Sequence, residues 1–349
     1  AGHALRAARQ VGDRAAEAAA LNSIGVIDFQ QSRHDQAIGR LQQALALGRA
    51  AGGPACVARV LLNLGAVYMK LARFREATGY TREALDLYRQ AGDRGGQAHT
   101  LLSLGIADLY QGRHQGAIEH HRQALALYHD FGDPGGEAQA LTYIGLVHMR
   151  QGRHQLAIDH YEQALAMDRE ARNPSGEAHV LRELSTVYLR QGDHERAATH
   201  LRRALALARQ VGRPVAEAQA RSLLGTVYLL RGHSQQAIDH QRQALAQLRE
   251  AGAWAHEAAA ITGLAQTLLA SGHLDEARAE WSAARDLATR TGDTYQLAQA
   301  LAGLGHVCQA GGDPGRARQH WQQAITLYTE LGAPEADEIR ASLARPDAG

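Results

Sequence analysis

Apolar residues recur along the chain with helical spacing and are interrupted by short polar turns. In one stretch Leu61, Leu64 and Tyr68 stand three and four residues apart, and a second run of this kind extends from Ala77 to Tyr88. Because side chains three or four positions apart share one face of an α-helix, each run predicts an amphipathic helix. The pair of helices recurs with a 40-residue period, without insertion or deletion. The chain is therefore interpreted as one repeat array, although its length alone favours two or three globular domains.

Small residues occupy the strictest positions of the 40-residue period. Alanine fills one second-helix position in all eight repeats: Ala44, Ala84, Ala124, Ala164, Ala204, Ala244, Ala284 and Ala324. Glycine fills one first-helix position at Gly25, Gly65, Gly105, Gly145, Gly225 and Gly305, with Ser185 and Ala265 as the exceptions. Small side chains let neighbouring helices approach closely, so each pair can stack on the next. The pattern predicts an all-α fold, an α-solenoid of stacked antiparallel helix pairs.

The helix ends are predicted from residues that favour caps and turns. Asp93, Asp133, Asn173 and Asp293 are expected as N-caps, and prolines follow several such positions at Pro54, Pro134, Pro174, Pro214 and Pro334. Glycines are expected to end the helices in left-handed conformation. They end first helices at Gly112, Gly152, Gly192, Gly232, Gly272 and Gly312, and second helices at Gly12, Gly52, Gly92, Gly132, Gly212, Gly252, Gly292 and Gly332. Arg172 is the exception in the second group.

The segment from residue 61 to 85 resembles a tetratricopeptide repeat. Leu64, Gly65, Tyr68, Ala77 and Ala84 stand at the spacing of the L-G-x₂-Y…A…A core of that family. The 40-residue period resembles the long-helix subgroup found in kinesin light chains, in spindle-orientation adaptors and in the C-terminal sensor regions of large actinobacterial antibiotic-regulatory proteins of the SARP and STAND types. The resemblance implies a right-handed superhelix whose first helices line a concave groove where partners bind.

Counting by repeat position divides the chain into three parts. Residues 1–13 match the second half of a second helix, residues 14–333 hold eight helix pairs, and residues 334–349 form a capping helix with a tail. Asp337 and Glu338 are expected to face away from the repeats and Ile339 and Leu343 toward them. A chain that starts inside a helix is expected to be cut from a longer protein.

Charge and cysteine content exclude several classes of function. The chain has 37 Lys and Arg against 36 Asp and Glu, so bulk binding of nucleic acid or an anionic membrane is not expected. Cys56 and Cys308 are too few for a disulfide framework or a four-ligand zinc site. No signal peptide is recognisable, and the longest uncharged stretch, residues 294–312, is interrupted by Gln, His and Gly. We expect a soluble, cytoplasmic bacterial protein.

The groove implied by the resemblance carries a candidate partner-binding surface. Lys70, Tyr110, Arg150 and Arg190 share one first-helix position and make the middle of the groove basic. This chemistry suits an acidic peptide segment, held by charge-assisted hydrogen bonds and apolar contacts; the alternative is that these are ordinary solvated residues. The candidate residues are Arg59, Leu62, Asn63, Met69, Lys70, His99, Tyr110, Tyr143, Arg150, Arg182 and Arg190.

Apolar residues supply the floor of this groove in the same interpretation. Met69, Leu109, Met149 and Leu189 share a first-helix position next to the basic one. Leu62 and Leu102 occupy a position that other repeats fill with Asn22, Thr142, Arg182 or Ser222. They either form an exposed apolar strip for a ligand or pack against the neighbouring helix.

Histidines form two ladders with 40-residue spacing, one of them His120, His160, His200, His240 and His320. Rungs on helices about 8–10 Å apart are too distant for the ~2 Å bonds of a shared zinc ion. The ladders are expected to hydrogen-bond between neighbouring helices or to lie at the surface, and to gain positive charge near pH 6.5. No metal, cofactor or catalytic residue is expected, since no phosphate loop, nucleophile elbow or Cys–His arrangement is present.

The last three repeats depart most from the pattern, with Arg221 and Arg285 at leucine positions and Trp281 and Trp321 at one second-helix position. Either another domain or subunit packs there, or the array simply decays toward its end. The chain is expected to be a non-enzymatic interaction module, the ligand- or partner-sensing region of a larger transcriptional regulator. The alternatives are a free-standing or self-associating scaffold and an accessory to a fused catalytic domain.

Overall fold

The computed structural model describes residues 2–31, 33–51, 53–71, 73–291, 293–331, 333 and 335–344. Within them the structure is all-helical. The helices are α1 Gly2–Val11, α2 Arg14–Gln30, α3 His34–Ala51, α4 Pro54–Lys70, α5 Phe74–Gln90, α6 Arg94–Tyr110, α7 His114–Phe131, α8 Pro134–Arg150, α9 His154–Glu170, α10 Pro174–Arg190, α11 His194–Gln210, α12 Pro214–Leu230, α13 Ser234–Glu250, α14 Trp254–Ala270, α15 Leu274–Thr291, α16 Thr294–Ala310, α17 Pro314–Glu330 and α18 Glu335–Ala344.

The chain divides into two compact units, residues 1–213 and 214–349. In unit 1, α1 packs on α2, and from α2 to α11 each helix packs on the next along the chain. In unit 2 the same succession runs from α12 to α18. Each unit is therefore a stack of helix pairs, which confirms the predicted α-solenoid fold class. No helix of the described residues is both long and apolar enough to span a bilayer.

The helices begin and end where the sequence predicts. The side chains of Asp93, Asp133, Asn173 and Asp293 each accept a hydrogen bond from the backbone N–H three residues later, at 2.8–3.1 Å. The glycines at both predicted turn positions have φ between +61° and +79°. Arg172, the exception among them, adopts the same left-handed conformation with φ +50°. Gly52, Gly292, Gly332 and Pro334 lie outside the described residues.

The repeated first-helix glycine makes room for one side chain of its partner helix. A Cβ added to Gly105 would lie 2.2 Å from the His121 ring, and one added to Gly305 would lie 2.4 Å from the Trp321 ring. We call this second-helix site the core position; it holds Leu41, Thr81, His121, Tyr161, Leu201, Gln241, Trp281 and Trp321. The glycine thus lets one backbone geometry accept side chains of very different size.

Trp281 and Trp321 of unit 2 fill the core and do not form an exposed docking surface. Trp281 and Trp321 are 2% and 5% exposed. In the helix pair that contains Trp281, Ala265 replaces the first-helix glycine. The Trp281 ring instead lies against Gly303 of the next first helix, where an added Cβ would be 2.2 Å from the ring. Of the two alternatives for the last repeats, an interface formed by these two rings is therefore wrong, because the rings replace smaller core residues.

Helix α18 covers the end of unit 2. Ala336 and Ile339 are buried and Leu343 packs beside them, whereas Asp337 and Glu338 are exposed, as the sequence predicts. Tyr295 Oη donates a 2.6 Å hydrogen bond to Glu335 Oε1 and ties α18 to α16. The predicted tail, residues 345–349, lies outside the described residues.

Candidate functional site

Four first helices of unit 1 place the sequence-predicted residues on a shared surface. Helix α6 contacts α4, α8 contacts α6, and α10 contacts α8, so positions one repeat period apart lie on neighbouring first helices. We call the exposed and half-buried side chains of α4, α6, α8 and α10 the first-helix face. It contains Arg59, Leu62, Asn63, Met69 and Lys70 on α4, His99 and Tyr110 on α6, Tyr143 and Arg150 on α8, and Arg182 and Arg190 on α10.

The C-terminal ends of these helices carry the cationic part of the face. Lys70, Arg150 and Arg190 are exposed last residues of α4, α8 and α10. Tyr110 takes the same position on α6; it is 59% exposed and stacks on Phe74, with ring centroids 5.9 Å apart. Among the residues that the structure describes, no carboxylate oxygen lies within 4.0 Å of a guanidinium nitrogen of Arg150 or Arg190. These two charges are therefore available to an anionic ligand.

An acidic residue lies in the middle of the face. Glu183 Oε1 is 3.0 Å from Arg182 Nη2 and 3.5 Å from His179 Nε2. Burial raises the pKa of the Glu183 carboxyl, but His179 and Arg182 outweigh burial and lower it to about 2. Since Glu183 offsets the charge of Arg182, the face is not uniformly basic as the sequence alone suggests. Its unpaired positive charge, at Arg150 and Arg190, lies toward the C-terminal ends of the helices.

Beneath the face, core-position residues reach the first-helix side chains. The His121 ring stacks on Tyr143 with centroids 5.3 Å apart and an interplanar angle of 17°. His121 is fully buried, and neither ring nitrogen has a hydrogen-bond partner in the described part of the chain. Burial lowers the pKa of His121 to about 4, with a further contribution from His120. Burial raises the pKa of Tyr143, and Glu183 adds to that effect.

Tyr161 occupies the next core position under the same face. Its side chain is fully buried and its hydroxyl lacks a partner among the described residues. Burial, followed by the charge of Glu183, raises its pKa far above the ordinary value. The sequence analysis did not predict that core-position residues would lie beneath the candidate surface. The repeated first-helix glycine could have indicated it, because the missing side chain lets the core-position residue of the partner helix approach closely.

The remaining predicted residues divide between surface and packing. Arg59 and His99 are exposed, and Asn63 Nδ2 donates a 2.8 Å hydrogen bond to Asn22 Oδ1 on α2. Leu62 and Met69 are half-buried against the core of unit 1. Leu102, Leu109 and Met149 are buried, at 2%, 8% and 5% exposure. For Leu102, packing is the correct alternative. The expectation that Leu109 and Met149 form a groove floor is wrong, because both are interior.

The histidine ladder pairs with residues of its own helix pair. His120 Nδ1 lies 3.0 Å from Asp108 Oδ2, and the His200 and His240 rings stack on Tyr188 and Tyr228. Burial lowers the pKa of His200, His240 and His320. The expectation that the whole column gains charge near pH 6.5 is therefore wrong for these three, which protonate at lower pH. Among the described residues no three His, Cys, Asp or Glu side chains form a metal-binding group.

The first helices of unit 2 carry no charged side chain at the repeat positions of the unit 1 candidate residues, although Arg221 and Glu217 form an ion pair on α12. Leu230, Ala270 and Ala310 occupy the position of Lys70, Tyr110, Arg150 and Arg190. Leu223, Gly263 and Gly303 occupy that of Asn63, Tyr143 and Glu183. The concentration of charged and aromatic side chains on one set of first helices makes unit 1 the candidate site.

Solved structures similar to this chain share its fold. A Rap conjugation gene regulator of plasmid pLS20, in complex with a Phr peptide, is 20% identical with a TM-score of 0.56, over 89% of this chain and 75% of that one. Aspartyl phosphate phosphatase F from Bacillus subtilis is 14% identical with a TM-score of 0.57, over 82% of this chain and 75% of that one.

A third similar structure is a signal transduction ATPase with numerous domains from Pyrococcus horikoshii, which has a tetratricopeptide repeat sensor. It is 14% identical with a TM-score of 0.55, and the match covers 93% of this chain and 50% of that protein. No curated protein matches the chain. One tetratricopeptide repeat model matches residues 56–130, 136–210 and 256–330, and a second matches residues 182–253. The chain belongs to the tetratricopeptide repeat family, whose members mediate protein–protein and protein–peptide interactions.

Proposed function

We propose that the first-helix face of unit 1 binds an extended peptide segment rich in carboxylates. The observation that carries this proposal is the row formed by Lys70, Tyr110, Arg150 and Arg190 at one position of four neighbouring helices. With helices about 10 Å apart, the row extends for about 30 Å. An extended peptide rises about 3.3 Å per residue, so about nine residues span it.

Charge favours an acidic ligand over a basic one. Arg150 and Arg190 are exposed and have no carboxylate partner among the described residues, whereas Glu183 is already held by Arg182 and His179. An incoming carboxylate gains charge-assisted hydrogen bonds at the arginines. An incoming cation would have to displace two existing partners of Glu183. Tyr110, exposed beside Arg150, offers an aromatic surface for an apolar side chain of the same peptide.

We propose further that this module is non-catalytic. The buried titratable groups beneath the face are poor acid–base catalysts at neutral pH, since burial lowers the pKa of His121 to about 4 and raises that of Tyr161. Such groups stay neutral and serve packing. The phosphatase among the similar structures shares the fold at 14% identity, and a shared fold does not carry its chemistry.

The larger context that we propose is a bacterial transcriptional regulator, in which the array senses a ligand, a partner or another domain of the same protein. The 40-residue repeats resemble those of such regulators, and a multidomain signalling ATPase with a repeat sensor shares the fold. Two unpaired cysteines, Cys56 and Cys308, suit a reducing cytoplasm.

Peptide binding is testable by fluorescence anisotropy with a labelled nonapeptide of alternating Glu and Leu and with a matched peptide in which Lys replaces Glu. We expect the acidic peptide to bind more tightly, and Arg150→Glu with Arg190→Glu to weaken it at least about tenfold. The control variant, Arg122→Glu with Arg202→Glu, makes the same charge change on the second helices α7 and α11 and should bind like wild type.

Equal binding of the acidic peptide to wild type and to the Arg150→Glu/Arg190→Glu variant would overturn the proposal. Sedimentation velocity separates it from the scaffold alternative. A sedimentation coefficient that rises with protein concentration, and that this variant abolishes, would mean that the face binds a second copy of the chain.

A further inference from the structure

The first-helix face of unit 1 is arranged in rows that cross its four helices. Along each helix, exposed and half-buried residues recur at intervals of four, three and four, which keeps them on one side of the helix. In chain order they are Arg59, Asn63, Ala66 and Lys70 on α4; His99, Ser103, Ile106 and Tyr110 on α6; Gln139, Tyr143, Leu146 and Arg150 on α8; and His179, Glu183, Thr186 and Arg190 on α10. Each row therefore contains one residue from each helix.

The third row places apolar side chains beside the row of positive charges. Ile106 of α6 and Leu146 of α8 are half-buried, whereas Ala66 and Thr186 at the ends of the row offer little apolar surface. Ile106 lies about one helical turn before Tyr110. We call Ile106, Tyr110 and Leu146 the apolar patch. Because these side chains are only partly covered by their neighbours, the patch can lose further apolar surface to a ligand.

The packing beneath the apolar patch holds it in place. The exposed Tyr110 ring stacks on Phe74 of α5, with an interplanar angle of 9°. Leu146 packs against a buried cluster that includes Leu109 and Val147. Side chains fixed in this way lose little conformational entropy when a ligand binds, so the patch is preorganised.

Positive charge follows the apolar patch at regular steps. Arg150 lies one first helix beyond Tyr110, and Arg190 lies two beyond it. With neighbouring helices about 10 Å apart, the two arginine positions are about 10 and 20 Å from Tyr110 along the row. On the other side of Tyr110 the row holds only Lys70, so the two arginines form the stronger anion-binding part.

The spacing of the row matches one peptide conformation. A polyproline II helix has about three residues per turn and rises about 3.1 Å per residue, so every third side chain faces the same way about 9 Å farther along. A β-strand matches less well, because residues three apart point to opposite sides. A peptide in polyproline II conformation can therefore present one side chain to each successive first helix.

We propose that the peptide of the proposed function, on which this inference rests, carries a bulky apolar residue followed or preceded by acidic residues three and six positions away. The apolar side chain lies on the apolar patch, and the two carboxylates accept charge-assisted hydrogen bonds from Arg150 and Arg190. Acidic residues directly beside the apolar one face other directions and extend less than about 10 Å, so they cannot reach both arginines.

Fluorescence anisotropy with four labelled heptapeptides, blocked at both ends, tests this spacing. The spaced pair is Leu-Pro-Pro-Glu-Pro-Pro-Glu and its reversed sequence, which allows for either chain direction. The clustered pair is Leu-Glu-Glu-Pro-Pro-Pro-Pro and its reversed sequence, with the same composition and charge. We expect the better spaced peptide to bind at least about tenfold more tightly than either clustered one, because the clustered peptides satisfy only one arginine.

A cycle of substitutions tests the apolar patch. Replacing the leucine of the better spaced peptide by serine should weaken binding to wild type about tenfold. In Tyr110→Ala with Ile106→Ala, the same replacement should have little effect, because the patch is absent. The control Phe131→Ala removes a ring that is 42% exposed on second helix α7 and should behave like wild type. Circular dichroism melts establish that each variant is folded.

The outcomes separate this proposal from the one on which it rests. Equal affinity for spaced and clustered peptides, with binding still weakened by Arg150→Glu and Arg190→Glu, would overturn the spacing and leave the acidic-peptide proposal intact. An equal cost of the leucine replacement in wild type and in Tyr110→Ala/Ile106→Ala would overturn the role of the apolar patch. Binding that the arginine substitutions do not weaken would mean that the proposed function itself is wrong.

Discussion

In unit 1 the core position holds His121 and Tyr161, whereas in unit 2 the same position holds Trp281 and Trp321. The histidine and the tyrosine are fully buried with polar atoms that lack partners in the described residues. Trp321 Nε1 donates to the Ala302 carbonyl at 3.2 Å, whereas Trp281 Nε1, like the histidine and the tyrosine, lacks a partner in that part of the chain. One site of the repeat thus holds an imidazole and a phenol ring in unit 1 and two larger indole rings in unit 2.

The difference between the units shows that in unit 1 the core is coupled to the candidate surface. His121 stacks on Tyr143 and Tyr161 lies near Glu183, both on the first-helix face. In unit 2 the first-helix residues opposite are Gly263 and Gly303, and the space is taken by Gln241 and Trp281. In unit 2 Trp281 and Trp321 use the position for packing, and Gln241 forms two hydrogen bonds with Ser222 of α12. In unit 1 His121 and Tyr161 lie beneath polar surface residues with their own polar atoms unpaired, at a cost in stability.

The largest expected effect is loss of the Trp281 ring from unit 2. We expect Trp281→Ala to lower the free energy of unfolding by about 3–5 kcal/mol, because it leaves a cavity the size of the indole. Gly303→Ala alone should also destabilise, since its Cβ would lie 2.2 Å from the ring. In a chain that already carries Trp281→Ala, Gly303→Ala should not lower the stability further, because the ring is no longer there. Urea denaturation of the four proteins measures this coupling, and additive effects would contradict the packing of Trp281 on Gly303.

A somewhat smaller effect is acid sensitivity arising from His121 in unit 1. Its pKa is about 4 in the folded chain and about 6.5 when unfolded. As pH falls below 6.5 the unfolded state binds the proton first, so stability declines progressively and the full loss, about 3 kcal/mol, is reached below about pH 4. Urea denaturation at several pH values measures the decline.

The matched variant for this prediction is His121→Leu, which places at that site the residue found at Leu41 and Leu201. We expect it to raise stability at pH 7 by about 1 kcal/mol, because two unpartnered buried nitrogens are removed. It should also reduce the acid sensitivity. An unchanged pH profile in this variant would show that other histidines, such as His148, account for the decline.

The smallest effect is a contrast between two glycines of unit 1. Gly105→Ala should destabilise by about 1–3 kcal/mol, because the new methyl group would lie 2.2 Å from the His121 ring. Gly79→Ala should stabilise by up to about 1 kcal/mol, because nothing lies within 4 Å of its Cβ and alanine favours the helix. Thermal melts that shift in the same direction would contradict the role given to the first-helix glycine.

Sequence reasoning reached the fold because the same local rules repeat in every period. Helix spacing, Asp caps and turn glycines each act over a few residues, so they can be recognised without knowing the tertiary structure. The packing of Trp281 on a glycine of the next helix pair could not be predicted in this way. It depends on two residues in different helix pairs: the methyl group of Ala265 fills the space within the pair of Trp281, and Gly303 leaves space for the ring in the next pair.

The candidate surface was predictable as a set of positions but not as a charge distribution. The period places Lys70, Arg150 and Arg190 at the same position of α4, α8 and α10. It did not reveal that Glu183 pairs with Arg182, because side-chain direction decides which adjacent charges meet. It also could not assign Leu102 and Met149 to the interior, since a leucine or methionine next to a groove position suits either environment.

The fixed period also has a consequence for how the chain acquires its structure. The hydrogen bond between Asn63 and Asn22, for example, joins neighbouring first helices across 41 positions, about one repeat period. Chains whose contacts are this local fold rapidly, because little loop entropy is lost before each contact forms. During synthesis each helix pair can therefore dock on the preceding one of the same unit as soon as it emerges from the ribosome.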